Sequence, residues 1–355
     1  MGLNKEAIKI GFAYVGIVVG AGFSTGQEVM QFFTPFGLWS YIGVIISGFI
    51  LGFIGRQVAK IGTAFEAKNH ESTLQYVFGK KFSKVFDYIL VFFLFGIAVT
   101  MIAGSGSTFE QSFGIPTWLG ALIMTVLIYL TLLLDFNKIV RALGLVTPFL
   151  IIMVILIAVF YLFTGSISLG EVNSAMPETS AWKGIFWGLV YGGLAFAVGF
   201  STVVAIGGDA SKRQVSGAGA LFGGVVYTVL LALINFALQS EYPQIKNEQI
   251  PTLKLANEIH PWLGLVLTVI MLAVMYNTIL GLTYSFAARF TEPYGKKYHI
   301  FIVIMMIAAF ILSFVGFADL INFLYNIMGV VGLFIVVAVL IKYYLRKSDN
   351  KDHIA

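Results

Sequence analysis

The chain contains no cysteine, only four histidines and few charged residues. The missing cysteine excludes disulfides, thiolate metal sites and thiol chemistry. The histidines, His70, His260, His299 and His353, fall in predicted loops or tails, away from any cluster of carboxylates in an apolar stretch. That leaves no candidate for metal-dependent or general-base catalysis, so an enzyme is not expected and no bound cofactor is implied. Charged residues make up 11% of the 355 positions, against about 25% in an ordinary soluble domain. What fills the chain instead is apolar: 59% of its residues are hydrophobic, and the mean hydropathy is +0.91. A soluble fold of this length cannot hide so much apolar surface, so the surrounding medium is read as a lipid bilayer. The net charge of +5 is read as membrane orientation and not as nucleic-acid binding.

Apolar runs near 20 residues or longer fall at about 8–34, 38–60, 84–110, 116–134, 140–163, 183–208, 215–239, 262–289, 299–317 and 319–343. Their length, and the lack of strict alternation, predict an all-α integral membrane protein of ten transmembrane helices and exclude a strand barrel. Lys5 and Lys9 precede the first run, but no cleavage pattern follows, so this run is expected to stay as a span. The longer loops contain Ser72–Phe78 and Pro251–Ile259, each patterned as a short surface helix. With the N-terminus placed in the cytoplasm, every Lys and Arg falls on that side except Lys183, Lys246 and Lys254. Lys138 and Arg141, beside the fifth run, are among these orientation charges. This bias predicts an even number of spans in the cell membrane with both termini cytoplasmic.

The tetrapeptide Gly-Phe-Ser-Thr occurs at Gly22–Thr25 and again at Gly199–Thr202, half the chain away. The first copy lies in helix 1 of the ten and the second in helix 6. Two sets of five, 1–163 and 164–355, then cross the membrane in opposite senses, which predicts an inverted repeat within a single domain. Small residues abut Ser and Thr at both places, so both helices are expected to be discontinuous, at Gly20-Ala21-Gly22 and at Gly199. The first half-helices would end near Val19 and Ala197, and the second would begin near Ser24 and Ser201. Exposed carbonyls at the former suit an ammonium group or sodium ion, and exposed amides at the latter a carboxylate. By contrast, Gly48, Gly52 and the series Gly184, Gly188 and Gly192 have the spacing of close helix packing.

Glu28 lies one turn beyond Thr25 in the same apolar run. A charge at such a depth costs at least about 2.5 kcal/mol on insertion scales. Three roles are open to it: binding a substrate amine, carrying a proton, or forming an internal structural bond. Other polar residues inside spans are Thr100, Gly104, Ser105, Ser107 and Thr108 in helix 3; Tyr276, Asn277, Thr278 and Thr283 in helix 8; and Asn322, Tyr325 and Asn326 in helix 10. A lone Ser or Thr most often bonds its own helix, whereas the asparagines need partners elsewhere in the protein.

These residues resemble the LeuT-fold transporters of the amino acid–polyamine–organocation superfamily. The stretch Gly20-Ala21-Gly22-Phe23-x-x-Gly26-Gln27-Glu28 is similar to the opening of the YkvI-like bacterial membrane proteins. The resemblance implies a bacterial secondary transporter for a small amino acid or related amine. Helices 1, 2, 6 and 7 would rock against helices 3, 4, 8 and 9. Substrate would lie between Gly20, Ala21, Gly22, Phe23, Ser24, Thr25 and Glu28 on helix 1 and Ala197, Gly199, Phe200 and Ser201 on helix 6. Thr100, Gly104 and Ser105 of helix 3 and Asn277 of helix 8 would flank it. A coupling sodium would use the carbonyls of Gly16, Val19 and Leu280 and the hydroxyl of Thr283. Tyr284 stands where relatives carry a second hydroxyl ligand, and Ala195 lacks the hydroxyl of another sodium site. The lysine that replaces sodium in some proton-coupled relatives is missing from Ala142–Tyr161, which favours sodium over protons. The competing expectations are a nutrient sensor that binds its solute without coupled transport, and a passive channel. Oligomeric state is left open.

Overall fold

The computed structural model describes residues 4–133, 147–292 and 294–348, and these form helices and turns without a β-strand. The expected orientation charges Lys138 and Arg141, and the start of the fifth apolar run, lie outside the described residues.

The first apolar run is broken twice. Helix α1 (Lys5–Val18) starts at Asn4, whose Oδ1 accepts from the Ala7 amide at 2.7 Å, the cap expected of an Asn ahead of an apolar face. It stops where Val19 leaves the helical region at φ −74°, ψ 73°. Gly20 is extended, and a single turn, α2 (Ala21–Thr25), follows. Gly26 then takes a left-handed φ of 79° before α3 (Gln27–Phe32), a conformation that a residue with a Cβ adopts only with strain. The first break is thus at the expected glycines, but the chain resumes helix at Ala21 and not near Ser24, and the second break was not anticipated.

The chain continues as α4 (Ser40–Phe49), a wider π turn over Ile50–Ile54, and α5 (Gly55–Ala64). Helix α6 (Glu71–Phe113) contains Gly79 at φ 75°, ψ 168°, which separates the expected surface helix from the span behind it. Next come α7 (Thr117–Leu132), α8 (Thr147–Thr164), α9 (Ala181–Gly208), α10 (Arg213–Ser240), the expected surface helix α11 (Pro251–Ile259), α12 (Pro261–Phe290) and α13 (Lys296–Ser313). The last rod is α14 (Phe317–Leu320), a π turn over Ile321–Tyr325, and α15 (Asn326–Ser348). Among the described residues seven rods are long and apolar enough to cross a bilayer, and α7 and Pro148–Thr164 are shorter apolar helices. Large apolar side chains such as Phe163, Phe323 and Ile304 face outward, as lipid contact requires.

Helix α9, the sixth apolar run, corrects the expectation of a second discontinuous helix. It runs from Ala181 to Gly208 with no residue outside the helical region, so no half-helix ends at Ala197 or begins at Ser201. Its glycines serve close approach instead. A Cβ on Gly188 would lie 2.2 Å from the Gly43 Cα, and one on Gly193 would lie 2.3 Å from the Gly329 carbonyl oxygen. The Ser47 hydroxyl donates to the Gly188 carbonyl at 2.7 Å, tying α4 to α9. With its backbone ladder intact and its small residues against α4 and α15, the helix has no reason to open.

The helices sort into two groups around this arrangement. Helix α1 packs on α10 and α9, and these two pack on α4 and α5. Separately, α6 packs on α12, α7 and α13. The break in the first run lies where the two groups face each other.

Candidate functional site: a cavity at the broken first helix

Between the two groups lies a cavity of about 260 Å³. One wall is the break itself, Gly16 through Gly20 with Gly22, and beside it stands Glu28. Helix α9 contributes Tyr191, Leu194, Ala195 and Val198; α6 contributes Ile97 and Met101; α12 contributes Val274, Asn277, Thr278 and Leu282. The π turn of the last rod adds Tyr325. A mostly aliphatic surface with a few convergent polar groups is the ordinary make-up of a small-molecule site. A larger depression of about 630 Å³ is walled almost wholly by aromatic and aliphatic side chains, including Phe92, Phe290 and Phe323. Phe92 and Phe323 are exposed on the outer surface, so this depression is lipid-facing and offers nothing to orient a polar solute.

Glu28 has one hydrogen bond from a described side chain: the Tyr191 hydroxyl donates to its Oε2 at 3.1 Å. That hydroxyl also bonds the Tyr227 hydroxyl. Gly22 makes room for the carboxylate, since a Cβ there would lie 1.9 Å from Glu28 Oε1. Gly20 is different: a Cβ on it would meet nothing within 4 Å. The side chain of Ala21 lies outside the described residues, and Phe23, Ser24 and Thr25 are buried outside the lining. Phe23 is fully buried, with its ring 5.3 Å from that of Tyr227. The Ser24 carbonyl accepts from Thr252 of α11 at 2.5 Å. The Thr25 hydroxyl donates to the Gly22 carbonyl at 2.6 Å and accepts from the Gln27 amide at 3.2 Å, stitching the double break together.

Helices α6 and α9 divide in the same way. Thr100 and Ser105 do not line the cavity; their hydroxyls donate to the carbonyls of Gly96 at 3.0 Å and Ile102 at 2.7 Å. Gly104 is packed under Phe317. On α9, Ala197 and Phe200 are buried outside the lining. A Cβ on Gly199 would meet Val18 and Tyr14 at ordinary contact distance. Ser201 bonds His70 Nδ1. Asn277 does reach the cavity, and its Oδ1 is buried without a hydrogen-bond partner.

Of the sodium ligands implied by resemblance, Gly16 and Val19 line the cavity while Leu280 and Thr283 lie behind it on α12. Thr283 is 1% exposed, and its hydroxyl has no partner. That is unusual in this protein, where Thr100, Thr108, Thr125, Thr131 and Thr268 each bond the carbonyl one turn back. A buried hydroxyl without a partner is costly, and an ion at that place would satisfy it. Among the described residues no three His, Asp or Glu side chains converge as a metal site.

Tyr191 and Tyr227 escaped the sequence reading because, unlike Tyr276 and Tyr325, they have no neighbouring asparagine to mark them. A second cluster was missed for another reason. Asp87 of α6 pairs with Arg289 of α12 and, at 2.9 Å, with His70 Nε2, which in turn reaches Ser201 of α9. The sequence separation of these residues hides the cluster, and His70 was expected to be an ordinary loop residue.

No family model matches the chain. The chain is 28% identical over 347 residues to the uncharacterized membrane protein YkvI of Bacillus subtilis, covering 97% of this chain and 98% of that one. It is 24% identical over 358 residues to the uncharacterized protein YyaD of the same organism, covering 97% and 99%. Among solved structures it resembles MhsT in complex with L-phenylalanine, with a TM-score of 0.59, 14% identity, and coverage of 95% of this chain and 98% of that one. It also resembles a mutant of the Eremococcus coleocola manganese transporter, with a TM-score of 0.56, 14% identity, and coverage of 93% and 78%. The chain thus has the fold of the LeuT-type transporters and is similar along its whole length to YkvI, as the stretch from Gly20 to Glu28 leads one to expect.

Proposed function

We propose that the chain is a secondary active transporter that moves a small organic solute, an amino acid or a related amine, across the cell membrane by alternating access. One observation carries this reading: the broken first helix opens onto a cavity of about 260 Å³ that holds a single carboxylate among aliphatic walls. A volume near the lower end of ligand sites suits a compact solute. The solved neighbours are a transporter bound to L-phenylalanine and a manganese transporter. One carboxylate and one amide in an aliphatic setting suit an organic solute better than a bare divalent ion, which prefers several oxygen ligands.

The seven long rods, the two shorter apolar helices and the broken first run together make ten spans. Residues 1–163 and 164–355 then form two sets of five in opposite senses, with both termini cytoplasmic. The group containing α1, α4, α5, α9 and α10 would move against the group containing α6, α7, α12 and α13. Sodium is the favoured coupling ion, bound by the carbonyls of Gly16, Val19 and Leu280 and by Thr283. The unpartnered hydroxyl of Thr283 supports that assignment. An ion that binds one state better than the other shifts the equilibrium only by that difference.

The test is uptake of labelled amino acids and amines into proteoliposomes under imposed sodium or proton gradients. Accumulation that follows the sodium gradient in the wild type, and loses that dependence in Thr283→Val, is the expected result. Fluxes indifferent to every gradient for all solutes would refute coupled transport.

A further inference from the structure

The charge balance of the cavity narrows the solute, given the transport site proposed above. Glu28 is the only ionisable carboxylate in the lining, and neither Lys, Arg nor His lines it. None of the ion pairs among the described residues involves Glu28. Its Oε2 takes a hydrogen bond from Tyr191, and its Oε1 borders Gly22. The other polar side chains that face the cavity, Tyr191, Asn277, Thr278 and Tyr325, are uncharged. Asn277 Oδ1 is buried and unpartnered. Helix α1 ends at Val18, and the carbonyl end of a helix carries partial negative charge.

No cationic side chain that would match a solute carboxylate lines the cavity. Helix α9 is unbroken, so it presents no N-terminus at this depth. The turn after the first break spans only Ala21–Thr25, too short to build up a dipole. A carboxylate left without a counter-ion in so apolar a setting is unfavourable, and the cavity that Glu28 lines is where a counter-ion fits.

We infer that the cavity binds a small organic cation, a primary or secondary aliphatic amine, whose ammonium group pairs with Glu28 and whose carbon chain lies against Ile97, Met101, Leu194 and Val274. A carboxylate on the solute is neither required nor favoured. Glu28 is then the residue that selects the solute's charge, and Tyr191 positions it.

The inference is tested on the purified full-length chain by ligand-induced thermal shift. The probes are leucine, its decarboxylated amine isoamylamine, its deaminated acid 4-methylpentanoate, and a panel of other short aliphatic amines. Amines are expected to raise the melting temperature in a dose-dependent way, and the acid to have no effect. Leucine is expected to bind at least tenfold more weakly than its amine. Glu28→Gln keeps a hydrogen-bond acceptor for Tyr191 but removes the charge, and should weaken amine binding about thirtyfold or more. Glu28→Asp should bind amines again in part.

Stabilisation by leucine equal to that by the amine, unchanged in Glu28→Gln, would overturn the inference and leave the transporter reading standing. No response to any amine would overturn it too. Intact amine binding in Glu28→Gln, with loss only of proton-gradient dependence in uptake, would assign Glu28 to a proton instead. Amine binding through Glu28 without uptake of any solute in vesicles would uphold the inference and refute transport.

Discussion

Two glycines of the first break, two residues apart, make opposite demands on a side chain. At Gly20 the backbone is extended and a Cβ would meet nothing, so Gly20→Ala should melt like the wild type. At Gly22 a Cβ would occupy the space of Glu28 Oε1. Gly22→Ala should therefore push the carboxylate out of place at a cost of about 1–3 kcal/mol and abolish ligand-induced stabilisation. Thermal melts of both variants, with and without amine, check the pair; equal behaviour of the two would show that the carboxylate is not held where the geometry puts it. At this scale the sequence reading was uneven. Glu28 was legible because a charge in an apolar run needs a reason. The hydroxyls of Thr100 and Ser105 were not, because a hydroxyl satisfied by its own helix has the same sequence signal as one that faces a ligand. Asn277 and Thr283 stand out only once their neighbours are known, since lack of a partner is a property of packing.

The broken first run and α9 carry the same tetrapeptide and end up differently. In the first run Val19 and Gly20 leave the helix, and the Thr25 hydroxyl and Thr252 take up carbonyls beyond the break. In α9 Gly188 and Gly193 face α4 and α15, where close backbone contact replaces the freedom to unwind, while Gly199 meets only the side chains of Val18 and Tyr14. Composition cannot separate these outcomes, because glycine both weakens a helix and lets two helices touch. Seven long apolar helices fall on runs readable from hydropathy, and Ser72–Phe78 and Pro251–Ile259 are helical as expected. The π turns over Ile50–Ile54 and Ile321–Tyr325 were not, although the second brings Tyr325 to the cavity. If α9 is held by contact, Gly188→Ala must force apart two backbones, since its Cβ would lie 2.2 Å from the Gly43 Cα and 2.7 Å from the Gly43 oxygen. A loss of about 1–3 kcal/mol is expected, visible as a lower melting temperature. Gly199→Ala, where the same Cβ meets only side chains at 3.4 Å or more, should melt close to the wild type.

At the scale of the whole molecule the proposed orientation rests on the distribution of positive charge, and the structure supplies a ruler for it. Helix α6 carries Lys81 near one end, while near the other Gln111 donates to the Ile250 carbonyl at 3.1 Å, close in sequence to Lys246. About 30 residues of helix separate Lys81 from Gln111, roughly 45 Å at 1.5 Å per residue, which exceeds the hydrocarbon thickness of about 30 Å. Lys81 and Lys246 are both exposed and should therefore face opposite sides of the membrane. Since the chain has no cysteine, a single cysteine at either place is the only thiol to label. In intact cells a charged, membrane-impermeant maleimide is expected to modify Lys246→Cys at once and Lys81→Cys only after permeabilisation, which places the lysine-rich side in the cytoplasm. The reverse pattern would invert the protein and, with it, the side from which a solute reaches Glu28. Equal labelling of both in intact cells would mean that α6 does not cross the bilayer, and the cavity at its middle could not lie on a route between two compartments.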